Sequence, residues 1–192
     1  MRSFMGSITR KALAAVAALA LTAGAWTVHR SYARGVLSEA LAHVRSEFQF
    51  AVGAPMTVAA PLFGPEAERG WGGSDWKPRF LYPEPAEDIE GAVFSVQHGE
   101  HSSTWVVTAM DFPGGHVQYV SIIDGLMLTR IDIQLKERSA SETRVTVVYE
   151  RTALQPAANE HVKQLGRGDE GIGKHWEAVL NEYLRAQKGP RS

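Results

Sequence analysis

From Gly91 to Thr152, apolar and polar residues exchange places with a period of two, broken only at turn sequences. Successive side chains of a strand point to opposite faces, so this stretch predicts antiparallel strands with one buried face. Ala92, Phe94 and Val96 alternate with Ser95 and Gln97, and Trp105, Val107 and Ala109 alternate with Val106 and Thr108. Val117, Tyr119, Ser121 and Ile123 oppose His116, Gln118 and Val120, while Met127, Thr129, Ile131, Ile133 and Leu135 oppose Arg130, Asp132, Gln134 and Lys136. In the last strand, Thr143 to Thr152, Val145, Val147 and Tyr149 share a face against Arg144, Thr146 and Glu150. Pro113-Gly114-Gly115, Asp124-Gly125 and Ser139-Ala140-Ser141 supply the turns. Asp124-Gly125 reads as a two-residue type I′ hairpin, whose central residues both need positive φ.

The period changes at both ends of this run. Ile172, Trp176, Val179, Leu180, Tyr183 and Leu184 fall on one stripe of a C-terminal helix, opposite Lys174, Glu177, Asn181, Glu182 and Arg185, so the helix must dock on the sheet. An earlier helical stretch carries His161, Val162 and Leu165, and the glycines of Gly166-Arg167-Gly168-Asp169-Glu170-Gly171 predict a loop or kink between the two. Upstream, Arg34 to about Phe48 reads as a polar linker with Leu37, Leu41 and Val44 at helical spacing, and Glu47 to Val52 as a first short strand. Pro55 to Gly64 and Pro65 to Trp71 read as two short helices, each opened by a proline whose fixed φ suits a first turn. Gly70, Gly72 and Gly73 end the second, and Pro83 and Pro85 confine any strand near Tyr82 to a sheet edge.

The first residues follow another logic. Arg2, Arg10 and Lys11 precede an uncharged run from Ala12 to Val28, rich in alanine and leucine, which is an export signature. Signal peptidase would find small-x-Ala sites at Ala23-Gly24-Ala25 before Trp26 and at Ser31-Tyr32-Ala33 before Arg34. The run is also near the short limit for a membrane span, so residues 12–28 are either part of a cleaved signal or a retained anchor; the weak hydrophobicity of alanine favours cleavage. The expected organisation is a signal peptide or anchor over 1–33, a linker over 34–46, one domain over 47–187 and a tail over 188–192, exported to the periplasm or cell envelope.

Composition adds mainly exclusions. At 44% hydrophobic and 21% charged, 192 residues suit one ordinary globular core. A net charge of -1 offers no broad basic field, which argues against nucleic acid as a partner. With no cysteine there is no disulfide framework, thiol nucleophile or thiolate metal site. His98-Gly99-Glu100-His101 offers two imidazoles and a carboxylate, but on a hairpin turn and with no third ligand evident, so no metal and no cofactor are expected. His116 and His175 are lone histidines, better explained as structural or surface residues than as catalytic bases, and Arg167-Gly168-Asp169 carries no adhesive role.

An early strand, two short helices, a run of antiparallel strands and a terminal helix is the helix-grip order of START-like proteins. The segment Phe63-Gly64-Pro65-Glu66-x-Glu68-Arg69-x-Trp71, the following Trp76-x-Pro78, Gly91-x-Val93-Phe94, Trp105-Val106-Val107 and Tyr149-x-x-Thr152-Ala153-Leu154 resemble a bacterial branch of that SRPBCC superfamily, which includes polyketide cyclase/dehydrase-like and lipid-transfer members. The resemblance covers about Phe48 to Leu184 and implies an α+β, Bet v 1-like fold: a curved antiparallel sheet of about seven strands wrapped on a C-terminal helix. Such a scaffold leaves a hollow, and a dry one of about 300 Å³ would forfeit roughly 7 kcal/mol, so either it is small or something fills it.

By alternation Phe94, Trp105, Tyr119, Thr129 and Ile131 face inward, with Trp176 and Tyr183 descending from the helix, and Trp71 and Trp76 on a lid or wall segment. These nine are the expected ligand-binding residues, and the inward hydroxyls of Tyr119, Ser121 and Thr129 need partners or a polar ligand atom. The expected function is binding of a hydrophobic or amphipathic small molecule (lipid, polyketide-like or aromatic) as a carrier or sensor at the cell envelope. One alternative is a cyclase or dehydratase using Tyr119 and Glu66 as acid and base, with Glu68 and Arg69 on the same short helix. Another is a structural envelope module with a filled core.

Overall fold

The computed structural model describes residues 40–188; the expected signal or anchor and most of the linker lie outside these residues. Strand β1 (His43–Val52) is followed by a short helix α1 (Met56–Ala59), 3₁₀ turns at Ala60–Phe63 and Ala67–Gly70, and edge strand β2 (Arg79–Tyr82). Strands β3 (Val93–His98), β4 (His101–Asp111), β5 (His116–Ile123), β6 (Met127–Ser139) and β7 (Glu142–Ala153) complete the sheet, and a 3₁₀ turn at Pro156–Ala158 leads into helix α2 (Asn159–Gln187). The sheet has seven antiparallel strands in the order β1-β7-β6-β5-β4-β3-β2. Each hairpin partner from β2 to β7 is its chain neighbour, and only β1 crosses over, pairing with β7 from His43↔Thr152 to Val52↔Thr143.

The period-two faces are the ones buried. Phe94, Val96, Val107, Val117, Ile133, Leu135, Val145 and Val147 form the core with Phe48, Phe50 and Val52 of β1 and Leu180 of α2. Full burial of a side chain of this size contributes about 1.5–3 kcal/mol. Bulges interrupt the register between Val107 and Ala109 and between Phe80 and Tyr82, bending the strands that carry them.

Three expectations change. First, β1 starts at His43, inside what reads as a linker, because Val44 and Ser46 continue the inner row of Phe48, Phe50 and Val52. Ser46 fits that row because its hydroxyl donates to Asp169. Second, α2 runs unbroken for 29 residues through the glycine-rich stretch. Two of its glycines are clearance for packing: a Cβ at Gly166 would lie 2.4 Å from Val44 Cγ1, and one at Gly173 would lie 2.8 Å from Phe48 Cδ2. Burial gained by this close approach to β1 outweighs the glycine cost of about 1 kcal/mol each. Asn181, expected on the outer stripe, instead bridges to β1, its Nδ2 donating to Ala51 O at 2.9 Å and its Oδ1 accepting from Gly53 N at 2.7 Å. Third, the β5–β6 connection is not type I′: Ile123 pairs with Met127, Leu126 N donates to Ile123 O, and only Gly125 has positive φ. Among the described residues no helix is long and apolar enough to cross a membrane.

Candidate functional site

Between the concave face of the sheet and α2 lie two adjoining cavities. The first, the chamber, is about 180 Å³ and is lined by Glu68, Trp76, Trp105, Tyr119, Ile131, Ile133, Tyr149 and Trp176. The second, the lobe, is about 260 Å³ and is lined by Ser103, Trp105, Ser121, Ile123, Met127, Thr129, Ile131, Tyr149, Arg151, His161 and Leu165. Trp105, Ile131 and Tyr149 belong to both walls. The space between sheet and helix is therefore not filled by side chains, which counts against a module with a filled core.

Of the nine expected ligand-binding residues, Trp76, Trp105, Tyr119, Ile131 and Trp176 line the chamber, and Thr129 joins Trp105 and Ile131 in the lobe. Three stand elsewhere. Phe94 is fully buried one layer behind, stacked on Phe80 and Trp105 at centroid distances of 5.5 and 5.8 Å. Trp71 is held by a hydrogen bond from its Nε1 to Leu62 O at 2.7 Å and meets Trp176 edge-on at 5.5 Å, so it supports the wall without forming it. Tyr183 lines a surface groove with Arg69, Gly70, Trp71 and Glu182.

The segment from Ala60 to Trp76 is pinned as a wall. Trp76 Nε1 donates to Pro65 O at 3.0 Å, and its ring meets Trp105 edge-on at 5.4 Å. Asp88 accepts from the backbone N–H groups of Glu66 at 2.7 Å and Ala67 at 3.1 Å, fixing the start of the 3₁₀ turn. A 3₁₀ turn has three residues per revolution, so Glu66 and Arg69 share one face and Glu68 and Trp71 another. Glu66 accordingly pairs with Arg69, its Oε1 2.7 Å from the guanidinium, and does not line the chamber. Glu68 is the carboxyl that does.

Its environment is unlike that of an ordinary glutamate. Burial first, and the neighbouring Asp88 carboxylate second, push the Glu68 acid up from 4.5 to about 8. At neutral pH the side chain is therefore largely the neutral acid, able to donate a hydrogen bond into the chamber. Tyr119 is its counterpart on β5: burial, then Glu68 and Asp88, hold the phenol well above its ordinary range, and its hydroxyl donates to Phe63 O. Tyr149 is likewise raised, chiefly by burial. Both phenols stay protonated throughout the physiological range.

The lobe has a polar floor. Its residues sit in register across four strands, Trp105↔Ser121 on β4–β5, Ser121↔Thr129 on β5–β6 and Thr129↔Arg151 on β6–β7. Arg151 is buried and reaches Asp169 of α2 through both terminal nitrogens, at 2.5 and 2.9 Å, while lying 4.2 Å over the Tyr149 ring. Ser103 is engaged, donating to Val96 O and accepting from Trp105 Nε1 at 2.7 Å. Of the lone histidines, His116 is bonded to Asp132 at 3.2 Å and His175 is exposed, while His161 stands at the lobe's edge. Among the described residues no group of three or more histidine, aspartate or glutamate side chains is placed to hold a metal.

Glu68 as the chamber's acid, Tyr149 as the shared wall and the Arg151–Asp169 pair are the functional features that sequence reasoning missed. Arg151 had a signal: it continues the inward row of Val145, Val147 and Tyr149, and a charge in a buried row requires a buried counterion.

No protein-family model and no curated protein matches the chain. Solved structures do. Truncated norcoclaurine synthase from Thalictrum flavum aligns with a TM-score of 0.56 at 10% identity, over 80% of this chain and 98% of that one. A protein from Rhizobium leguminosarum aligns at 0.55 and 12%, over 77% and 97%. CalU16 from Micromonospora echinospora aligns at 0.50 and 15%, over 76% and 88%. The fold is of the Bet v 1-like helix-grip type. Identities this low carry the fold alone.

Proposed function

We propose that this chain binds a hydrophobic or amphipathic small molecule between its sheet and its C-terminal helix, as a carrier or sensor at the cell envelope. The observation that carries this reading is the chamber itself, a hollow of about 180 Å³ walled by three tryptophans and two tyrosines with a single carboxyl, Glu68. A dry hollow of that size costs about 4 kcal/mol at ~24 cal/mol per Å³, a large share of a stability of about 5–15 kcal/mol. A bound ligand removes that cost. Norcoclaurine synthase, which has this fold, has been solved with dopamine and hydroxybenzaldehyde bound, so the scaffold can take aromatic molecules. The envelope setting rests on the basic residues and apolar run from Arg2 to Val28, and assignment to a bacterial SRPBCC branch rests on the motifs from Phe63 to Leu154. Native mass spectrometry and solvent extraction of the purified protein test the reading: a co-purifying apolar molecule is expected. Absence of any such molecule, together with no uptake of an apolar dye, would overturn it.

One observation favours a second reading, an enzyme of cyclase or dehydratase type. A carboxyl raised to about 8 inside an aromatic chamber is poised to exchange a proton near neutral pH. The acid in this reading is Glu68 in place of Glu66, with Tyr119 fixed beside it as a neutral donor already committed to Phe63 O. Turnover lost in Glu68→Gln with ligand binding retained would support it; turnover unchanged in that variant would end it.

A further inference from the structure

Ser121 and Thr129 are both more than nine-tenths buried, pair directly across β5 and β6, and line the lobe. Among the described residues no buried side-chain polar atom is left unsatisfied, and no side-chain partner holds either of these hydroxyls, so both open onto the lobe. A hydroxyl that faces a cavity takes its bond from water or from a ligand, so two side by side in the wall mark a place where a ligand's polar group can replace water.

The charge at this site decides what that group can be. Among the described residues the cation on the floor is Arg151, already neutralised by a two-point contact with Asp169, and the imidazole of His161 stands at the exposed edge. An anion or a cation held at Ser121 and Thr129 would therefore lose its hydration beside a pair that is already neutral, without a counterion of its own on the floor. The rest of the wall is largely apolar, with Ile123, Met127, Ile131 and Leu165 beside the rings of Trp105 and Tyr149, and the Ser103 hydroxyl is already engaged.

We propose that the lobe is a subsite for an uncharged hydrogen-bonding group, an alcohol or carbonyl, held by Ser121 and Thr129, so that the ligand is a neutral amphiphile whose apolar body extends past Trp105 and Tyr149 into the chamber. This rests on the cavity-binding reading above and narrows it to one ligand class. The chamber agrees with it, since its acid is largely un-ionised at neutral pH.

The test uses the purified full-length protein, displacement of an uncharged dye, N-phenyl-naphthylamine, and three probes with the same tail: decanol, decanoate and decylamine. Decanol is expected to displace the dye at the lowest concentration at pH 7. In Ser121→Ala/Thr129→Val, which removes both hydroxyls with little change in volume, decanol should weaken about tenfold relative to the dye. A tightest fit for decanoate or decylamine, equal affinity for all three, or an unchanged decanol affinity in the double variant would overturn the subsite while leaving cavity binding intact. No dye uptake at all would overturn the cavity reading itself, and with it the subsite. The ranking on the unmodified protein stands even where the double variant does not fold.

Discussion

Arg151 on β7 grips Asp169 on α2 with both guanidinium nitrogens, at 2.5 and 2.9 Å, at the point where helix and sheet close over the lobe. Both side chains are almost wholly buried, and Ser46 of β1 donates to the same aspartate, so three elements meet at one carboxylate. Removing one partner strands a buried charge. Asp169→Ala should therefore destabilise the fold by about 3–5 kcal/mol, seen as a lower urea midpoint at unchanged slope. Replacing both partners with apolar side chains of similar volume, Arg151→Met with Asp169→Leu, should recover most of that loss.

Glu68 makes stability depend on pH in an unusual direction. An acid whose folded pKa lies above its unfolded value binds more protons in the native state. Its contribution is complete below the ordinary value of 4.5 and is lost as pH rises to about 8. The facing groups are the Asp88 carboxyl and the phenols of Tyr119 and Tyr149, which are raised in turn by Glu68. Because water can enter the chamber and screen the charge, about 2 kcal/mol is expected to be lost across this window. Thermal unfolding from pH 5 to 9 should show a falling Tm that flattens in Glu68→Gln; an identical profile in both proteins would contradict the buried acid.

The glycines of α2 should divide into two classes. At Gly168 and Gly171 an added Cβ meets nothing within 4 Å, so alanine at either should stabilise by about 0.5–1 kcal/mol through helix propensity. Alanine at Gly166 or Gly173 would press on Val44 or Phe48 and should destabilise by about 1–3 kcal/mol. Equilibrium denaturation of the four single variants checks the split.

Tyr119→Phe separates structure from chemistry. Its hydroxyl serves the carbonyl of Phe63, so its loss should cost about 1–2 kcal/mol of stability while dye binding in the chamber persists. If a turnover assay is found, an unchanged rate in this variant would leave the proton chemistry to Glu68 alone.

Alternation made the sheet legible, because a strand buried on one face writes that fact into every second residue. Val117 to Ile123 and Met127 to Leu135 needed nothing else. The site was legible where its residues lie on those strands, as Trp105, Tyr119, Thr129 and Ile131 do. It was not legible where irregular backbone decides direction. Glu66 and Glu68 are two residues apart, and only the 3₁₀ geometry and the Arg69 contact determine which one enters the chamber. The continuity of the long helix escaped notice for a related reason: glycine weakens a helix in isolation, but the benefit of clearance at Gly166 and Gly173 is a tertiary term with no local trace.

Trp76, Trp105 and Trp176 border the chamber, and Trp71 touches Trp176 edge-on. Four indoles thus stand on or one ring away from the place where a ligand would sit. The molecule consequently carries its own optical gauge: occupancy of the hollow should register as a change in intrinsic fluorescence, without a label and without knowing in advance what the occupant is.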